Sequence, residues 1–374
     1  MKKVYKGLAL LLMMLMLVGC GNAGGDTEID TEKESQVSSE TESEIVSESE
    51  EPQPVVTTIT ITATGDCALG ALQYHEYSSS FHEYYDAYGE GYFFKNFKEI
   101  FESDDLTLIN LECVFTNAAD RVEKEFSIKG KPSYNGILTS SSIEAATLGN
   151  NHSSDYGPES LEDTKKSLEA ADVVYAINES IAYYTTDDGM VIAVVSASVT
   201  ANGNSRDQYL LNGVAEAKNN GADLVIACPH WGIERVFYPN DYQRNLGHAL
   251  IDKGADLVVG NHPHVLQGAE EYKGKMIMYS LGNFSFGANR NPADKDTVVY
   301  QQTFTFVDGV LQNDIAAKVI PSRISGYDGY NNYQPKIADG DQKTNILKRL
   351  NEYSSPYGDL SFDEGGNLII KTNE

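Results

Sequence analysis

Residues 221–230 read Gly-Ala-Asp-Leu-Val-Ile-Ala-Cys-Pro-His, and residues 254–264 read Gly-Ala-Asp-Leu-Val-Val-Gly-Asn-His-Pro-His. The two stretches repeat at a period of 33. Each opens on a glycine where a helix ends before a strand, runs through a short apolar segment, and leads to histidine. Two copies are too few for a solenoid. They read as successive helix–strand units of one α/β sheet. The pattern extends outward. Val55–Thr64 is a β-branched strand ending at Gly65-Asp66, and Leu106–Leu111 is an apolar strand ending at Glu112. A helix is predicted over Ser141–Ala146, leading to Gly149-Asn150-Asn151-His152. Another is predicted over Pro158–Ala171, with proline in its first turn. Val173–Ile177, Met190–Val199, Lys275–Ser280 and Thr297–Phe306 are further strands, and Asp308-Gly309 marks a hairpin turn. A helix is expected near Lys343–Tyr353. No linker-like composition interrupts the pattern, so one domain is expected over 55–355, followed by a polar tail at 356–374.

The chain has 374 residues, 41% hydrophobic and 22% charged, a globular composition. Lys and Arg number 28 against 55 Asp and Glu, a net charge of −27. That balance excludes a nucleic-acid binder, whose sequence-independent affinity comes from cations neutralising phosphates. Residues 1–25 carry +3 and residues 26–51 carry −10, leaving −20 on the rest.

Lys2, Lys3 and Lys6 precede an apolar run from Gly7 to Val18. Twelve residues are too short for a membrane span of about 20 and fit a secretory signal at 1–19. The ending Leu17-Val18-Gly19-Cys20 resembles the bacterial lipobox, in which the cysteine is acylated and becomes the first mature residue. Cys20 is therefore the lipidation candidate, and the chain is expected to be anchored on the extracellular face of the membrane. Residues 20–54 form a Ser- and Glu-rich, aromatic-free stalk that cannot bury enough apolar surface to fold. Cys67, Cys113 and Cys228 are too widely spaced for a disulfide scaffold. They read as small buried residues on strands, with a Cys67–Cys113 disulfide left open.

Asp66, Glu112, Asn151-His152, His230 and His262-Pro263-His264 each follow an apolar strand. Ligands of open α/β sheets bind beyond the carboxyl ends of strands, so five strand ends can converge on one pocket. Four of the seven histidines are in this set. Pro263 biases His262 towards an extended backbone, and in an extended segment residues i and i+2 project to one side. Imidazole, carboxylate and amide oxygen together suit a divalent metal such as Mn, Zn or Fe.

The order of these motifs resembles the calcineurin-like metallophosphoesterase superfamily, and more closely the bacterial capsule-synthesis CapA family associated with poly-γ-glutamate. The carrying residues are Gly65-Asp66-Cys67-Ala68-Leu69-Gly70, Asn110-Leu111-Glu112, Gly149-Asn150-Asn151-His152 with Asp155-Tyr156-Gly157, His230-Trp231-Gly232 with Glu234, Gly260-Asn261-His262-Pro263-His264-Val265-Leu266-Gln267, and Tyr279-Ser280-Leu281-Gly282-Asn283-Phe284. The resemblance spans about Ile59–Pro321 and implies a four-layer αββα sandwich of metallophosphoesterase type. It implies Asp66, Glu112, Asn151, His230, His262 and His264 as metal ligands, with Glu112 bridging. It implies His152 as general acid or phosphate contact, and one or two divalent ions; a pair would sit about 3.5–4 Å apart. The superfamily's first motif is Asp-x-His, and here Ala68 holds the third position, so one metal loses an imidazole. The CapA family shares this departure.

Asp155 either orients His152, as partners behind a ligand commonly do, or caps the helix before Pro158. Asn110, Asn150, Glu234, Gln267 and Asn283 are candidates for contact with substrate. Trp231 and His248 read as core, and the Tyr-rich stretch Gln73–Phe97 as an aromatic-packed insertion. Three functional classes follow: an accessory protein of poly-γ-glutamate synthesis, export or attachment working with a membrane polymer-synthesis complex; a metal-dependent phosphoesterase-type hydrolase; and a non-catalytic surface protein with a relic site.

Overall fold

The computed structural model describes residues 53–200 and 206–371. The expected signal peptide, the lipidation candidate Cys20 and the stalk up to residue 52 lie outside the described residues.

Alternation within the strands sets the layers. In the fully buried strand Leu106–Leu111, Leu106 and Leu108 face one core while Ile109 and Leu111 face another. A strand covered on both faces must be apolar on both, and Leu-Thr-Leu-Ile-Asn-Leu is. It runs parallel to Val56–Ala68 on one side and Ala145–Thr147 on the other. Val174–Ala176 adds a parallel strand at that edge, while Asp296–Val307 and Ala316–Arg323 extend the opposite side antiparallel. Among the described residues this sheet has nine strands. A second, six-stranded sheet runs in the spatial order Ala269–Tyr272, Lys275–Met278, Leu257–Val259, Leu224–His230, Val191–Ser198 and Ala182–Thr185. Its four inner strands are parallel.

The sheets pack face to face. Ile59, Ile61, Leu106 and Leu108 share a core with Ile192, Val194, Leu224, Ile226 and Leu257. Beneath the first sheet lie Leu168 of the helix Pro158–Ala170 and the buried rings of Phe81, Phe93, Phe97 and Phe101. Over the second lie the helices Asp207–Asn219 and Asp241–Asp252. Helices, sheet, sheet, helices is the four-layer αββα order expected of the sequence. The repeated glycines do what their spacing predicts. Gly221 and Gly254 sit at φ of +83° and +113°. The following N–H of Ala222 or Ala255 returns to the helix at Ala217 (3.1 Å) or Leu250 (3.0 Å), a left-handed helix stop that suits glycine.

Three expectations change. The helix predicted over Ser141–Ala146 is instead a short helix at Asn135–Thr139 followed by the strand Ala145–Thr147. Burial between neighbouring strands overrides alanine's helix preference. The tail expected at 356–374 is structured to 370: Leu360–Phe362 pairs with Leu368–Ile370. Leu360 and Phe362 are buried in the core between the sheets, beside Ile346 and Leu350 of the helix Gly340–Ser354. The packed domain therefore runs past 355. Cys67, Cys113 and Cys228 are buried free thiols, as small buried residues would be, and the Cys67–Cys113 disulfide left open does not form. Trp231 is core as read, whereas His248 is half-buried, bonded to Glu270 (2.7 Å) and stacked on Tyr272.

Gly65 is the closest approach that matters for the site. A Cβ there would lie 2.1 Å from the Gly282 carbonyl oxygen, to which the next residue, Asp66, donates its N–H at 2.9 Å. Gly65→Ala is expected to push this crossing apart and cost about 1–3 kcal/mol. Thermal and urea unfolding against the unchanged chain check this.

Candidate metal centre

Asp66 is fully buried at the end of Val56–Ala68, opposite Asn110 on one neighbouring strand and Asn283 on the other. Asn110 Nδ2 donates to Asp66 Oδ1 at 2.8 Å. The His262 backbone N–H approaches Asp66 Oδ2 at 3.2 Å. His264 Nδ1 lies 3.1 Å from the same oxygen and 2.9 Å from Asn283 Oδ1. One carboxylate thus fixes an amide and the backbone and ring of two histidines.

His262 and His264 reach the site by a different route from the extended one expected. Both have positive φ, +97° and +58°. For residues other than glycine that conformation costs on the order of 1–3 kcal/mol each and is held by surrounding structure. Here the Pro263 carbonyl accepts the Arg235 N–H at 2.8 Å. The rings still converge, with centroids 5.8 Å apart, and His230 stands 4.8 Å from His262.

Glu112 is at the middle. It is fully buried, and among the described residues neither carboxylate oxygen has a hydrogen-bond partner. Three Nε2 atoms face its Oε1: His230 at 3.5 Å, His264 at 3.6 Å and His152 at 4.0 Å. Asn151 Oδ1 lies 2.6 Å from His230 Nε2. Glu112, His262 and His264 each offer a ligand atom within 4.8 Å of the others. All six residues implied as ligands therefore belong to one contiguous cluster. Burial pushes the Glu112 carboxyl well above its usual range, against the pull of His264, with Asp66 and Glu234 adding to the rise. Burial drives His230 well below its ordinary value and His262 down to about 4, with His264 adding to both. Burial also opposes charge on His264, but the Glu112 and Asp66 carboxylates outweigh it and hold that ring up to about 10.

These are the marks of a site that wants a cation. A buried carboxylate without donors carries a large desolvation penalty unless an opposite charge meets it. Among the described residues, His262 Nδ1 is likewise a buried atom without a partner. Imidazoles kept neutral are in the form that binds metal. Mixed nitrogen and oxygen donors suit a divalent transition ion, so the residues fit the group.

His152 is buried beside the cluster, its Nδ1 2.8 Å from Asp155 Oδ2. Asp155 also accepts the Ile128 N–H at 2.6 Å and pairs with Lys124. It is thus an orienting group, not a cap, and the helix Pro158–Ala170 has no side-chain cap. Burial lowers the pKa of His152, while Asp155 pulls it upward.

The expected substrate contacts divide. Glu234 and Asn283 line a cavity of about 690 Å³ together with His152 and His264. Asn110, Asn150 and Gln267 do not line it and are corrected to supporting roles. Asn110 Oδ1 takes Thr147 and Asn150, and Asn150 Oδ1 takes the His152 N–H at 3.0 Å. Gln267, wholly buried, bridges Gln243 and the Val236 carbonyl, each at 2.8 Å. Sequence reasoning missed Lys124, which also donates to the Asn151 carbonyl at 2.9 Å. It comes from an irregular segment with no strand before it, so nothing in the local sequence marks it.

The family described as bacterial capsule synthesis protein PGA_cap matches residues 60–288. The PGA biosynthesis protein CapA of Bacillus subtilis (strain 168) is 30% identical over 214 residues, 52% of this chain and 56% of that protein. The capsule biosynthesis protein CapA of Bacillus anthracis is 29% identical over 229 residues, 54% of this chain and 56% of that protein. The matches thus span little more than half the length of either relative. A crystal structure of a phosphatase from Mycoplasma pneumoniae aligns with 71% of this chain and 95% of its own at 12% identity, with a TM-score of 0.43. Because the matched span covers more than half of the chain and holds every residue of the cluster, the chain belongs to the bacterial capsule synthesis protein PGA_cap family.

Proposed function

We propose that the chain is a lipid-anchored protein on the extracellular face of the membrane that takes part in poly-γ-glutamate synthesis, export or attachment. In this reading it works beside a membrane polymer-synthesis complex and holds a divalent ion, Mn, Zn or Fe, in the Glu112 cluster. The observation that carries the reading is Glu112 itself, a buried carboxylate without hydrogen bonds, ringed by imidazoles, inside a span matched to a capsule-synthesis family. An ion bound there would supply a Lewis-acid centre for an anionic oxygen. The protein's own part is positioning: Asp66 sets the His262-His264 turn, and Asn110 sets Asp66.

A second reading, a metal-dependent hydrolase of phosphoester type, is favoured by His152. With Nδ1 turned to Asp155, its Nε2 is left to hold or release a proton in the cavity. Lys124 and the Ile128 N–H hold Asp155 in place.

The unchanged chain should carry at least one equivalent of Mn, Fe or Zn by elemental mass spectrometry. Glu112→Gln and His262→Ala should lose it, and His248→Ala should keep it. A metal-free protein after add-back would remove the metal from the reading. If the hydrolase reading holds, His152→Ala should retain metal and lower turnover of bis(p-nitrophenyl) phosphate by about 10²–10⁴-fold, the usual weight of a general acid. Unchanged turnover would clear His152 of that role. For the anchor, Cys20→Ala should move the protein from the membrane pellet to the soluble fraction.

A further inference from the structure

The cavity above the cluster has a second feature that the metal does not use. Its lining includes two arginines, Arg235 and Arg290, set among apolar rings and chains that include Leu72, Phe126 and Phe286. Acidic groups outnumber basic ones almost two to one in this protein, and other arginines of the domain meet carboxylates. Arg244 faces Glu270, Arg323 reaches Asp328, and Arg349 grips Asp294. Among the described residues neither Arg235 nor Arg290 has a carboxylate within ion-pair distance. Arg290 is held in place: its guanidinium donates to the Ser78 carbonyl at 2.6 Å, and its own carbonyl accepts the Asn331 N–H at 2.8 Å. Asn331 also ties down the Phe286 and Asn289 carbonyls. Arg235 sits beside the metal cluster through its backbone bond to Pro263. Of the two acids in the lining, Asp294 is taken by Arg349, and Glu234 is close enough to the cluster to raise the pKa of His264.

We propose that Arg235 and Arg290 form a carboxylate-recognition subsite for a segment of γ-linked glutamate chain. One carboxylate meets the metal cluster, a neighbouring one meets the guanidinium groups, and the methylenes between them lie on the apolar wall. The chemistry favours this linkage. A γ-linked chain carries two methylenes per residue in its backbone and a carboxylate on each α-carbon. An α-linked chain puts the same methylenes in its side chains, so its carboxylates stand at the side-chain tips, away from the backbone, and not directly on it. Guanidinium forks hold a carboxylate by paired, charge-assisted hydrogen bonds, and Arg290 is already fixed, so less order is lost on binding. The inference rests on the polymer reading above.

Titration calorimetry on the full chain loaded with Mn²⁺ tests it, with γ-linked and α-linked pentaglutamate as the two probes. Metal content and melting temperature are measured for every protein. The unchanged chain should bind the γ-linked probe more tightly. Arg235→Gln and Arg290→Gln should each weaken it about tenfold or more, the scale of a lost charge-assisted bond. The same change of charge at an exposed site, Lys348→Gln, should leave it unaltered. Arg290→Lys should recover little, since lysine lacks the fork. Arg235 is exposed, with no side-chain partner among the described residues, so its variant keeps the test valid should Arg290→Gln unfold. If both glutamine variants bind like the parent, or both probes bind equally, the subsite is refuted while the polymer reading stands. If the metal-loaded parent binds neither probe, the polymer reading fails and takes the subsite with it.

Discussion

The centre depends on the position of Asp66. Its strand crosses the Gly282 turn so closely that the residue before it must be glycine. From there a single carboxylate takes up Asn110 from the next strand, the backbone of His262 and the ring of His264. These groups come from segments almost two hundred residues apart, and both sheets contribute. Moving Asp66 would shift the amide network and the histidine turn together. The cluster is therefore better described as a joint between two sheets than as side chains placed on a surface.

Electrostatics then explain why that joint is not simply filled with apolar groups. Asp66 and Glu112 are both fully buried, and two carboxylates side by side in a dry interior are unfavourable unless opposite charge meets them. The surrounding rings respond unequally. The negative charge of the two carboxylates favours a proton on His264, while burial keeps His230 and His262 neutral. The cluster is thus neutralised by a proton where a cation would serve better. Around it the domain is acidic, yet the cavity above presents two arginines. Long-range repulsion and local attraction for an anion coexist because they act at different distances: surface charges are screened within about 8–10 Å, while a group inside the cavity meets its nearest neighbours.

Much of this was legible in the sequence because strand ends are. Asp66, Glu112, His152, His230 and His262 each follow an apolar run, and parallel strands deliver their ends to one side of a sheet. What was not legible has specific physical causes. The His262-Pro263-His264 geometry depends on a turn held from outside by Arg235, so local preference for an extended chain misled. Asn110, Asn150 and Gln267 carry the chemistry of binding residues, but their groups are spent on neighbours that only the fold brings near. Lys124, Arg235 and Arg290 come from irregular segments with no periodic signal. Ala145-Ala146 reads as helix by propensity and becomes strand because a parallel neighbour occupies each side.

The three buried thiols bear on the proposed extracellular location, where the surroundings would be oxidising. Cys67 and Cys113 each follow a residue of the cluster, Asp66 and Glu112, and Cys228 lies two positions before His230. Burial pushes the Cys67 thiol up to about 12 and raises the other two as well. Thiolate, the form that attacks oxidants and disulfides, is then scarce. The native packing thus acts as a chemical lock, letting three cysteines stay reduced without pairing. The lock opens with the fold, so mispaired cysteines would accumulate only in molecules whose strand ends had come apart, and the same event would dismantle the centre.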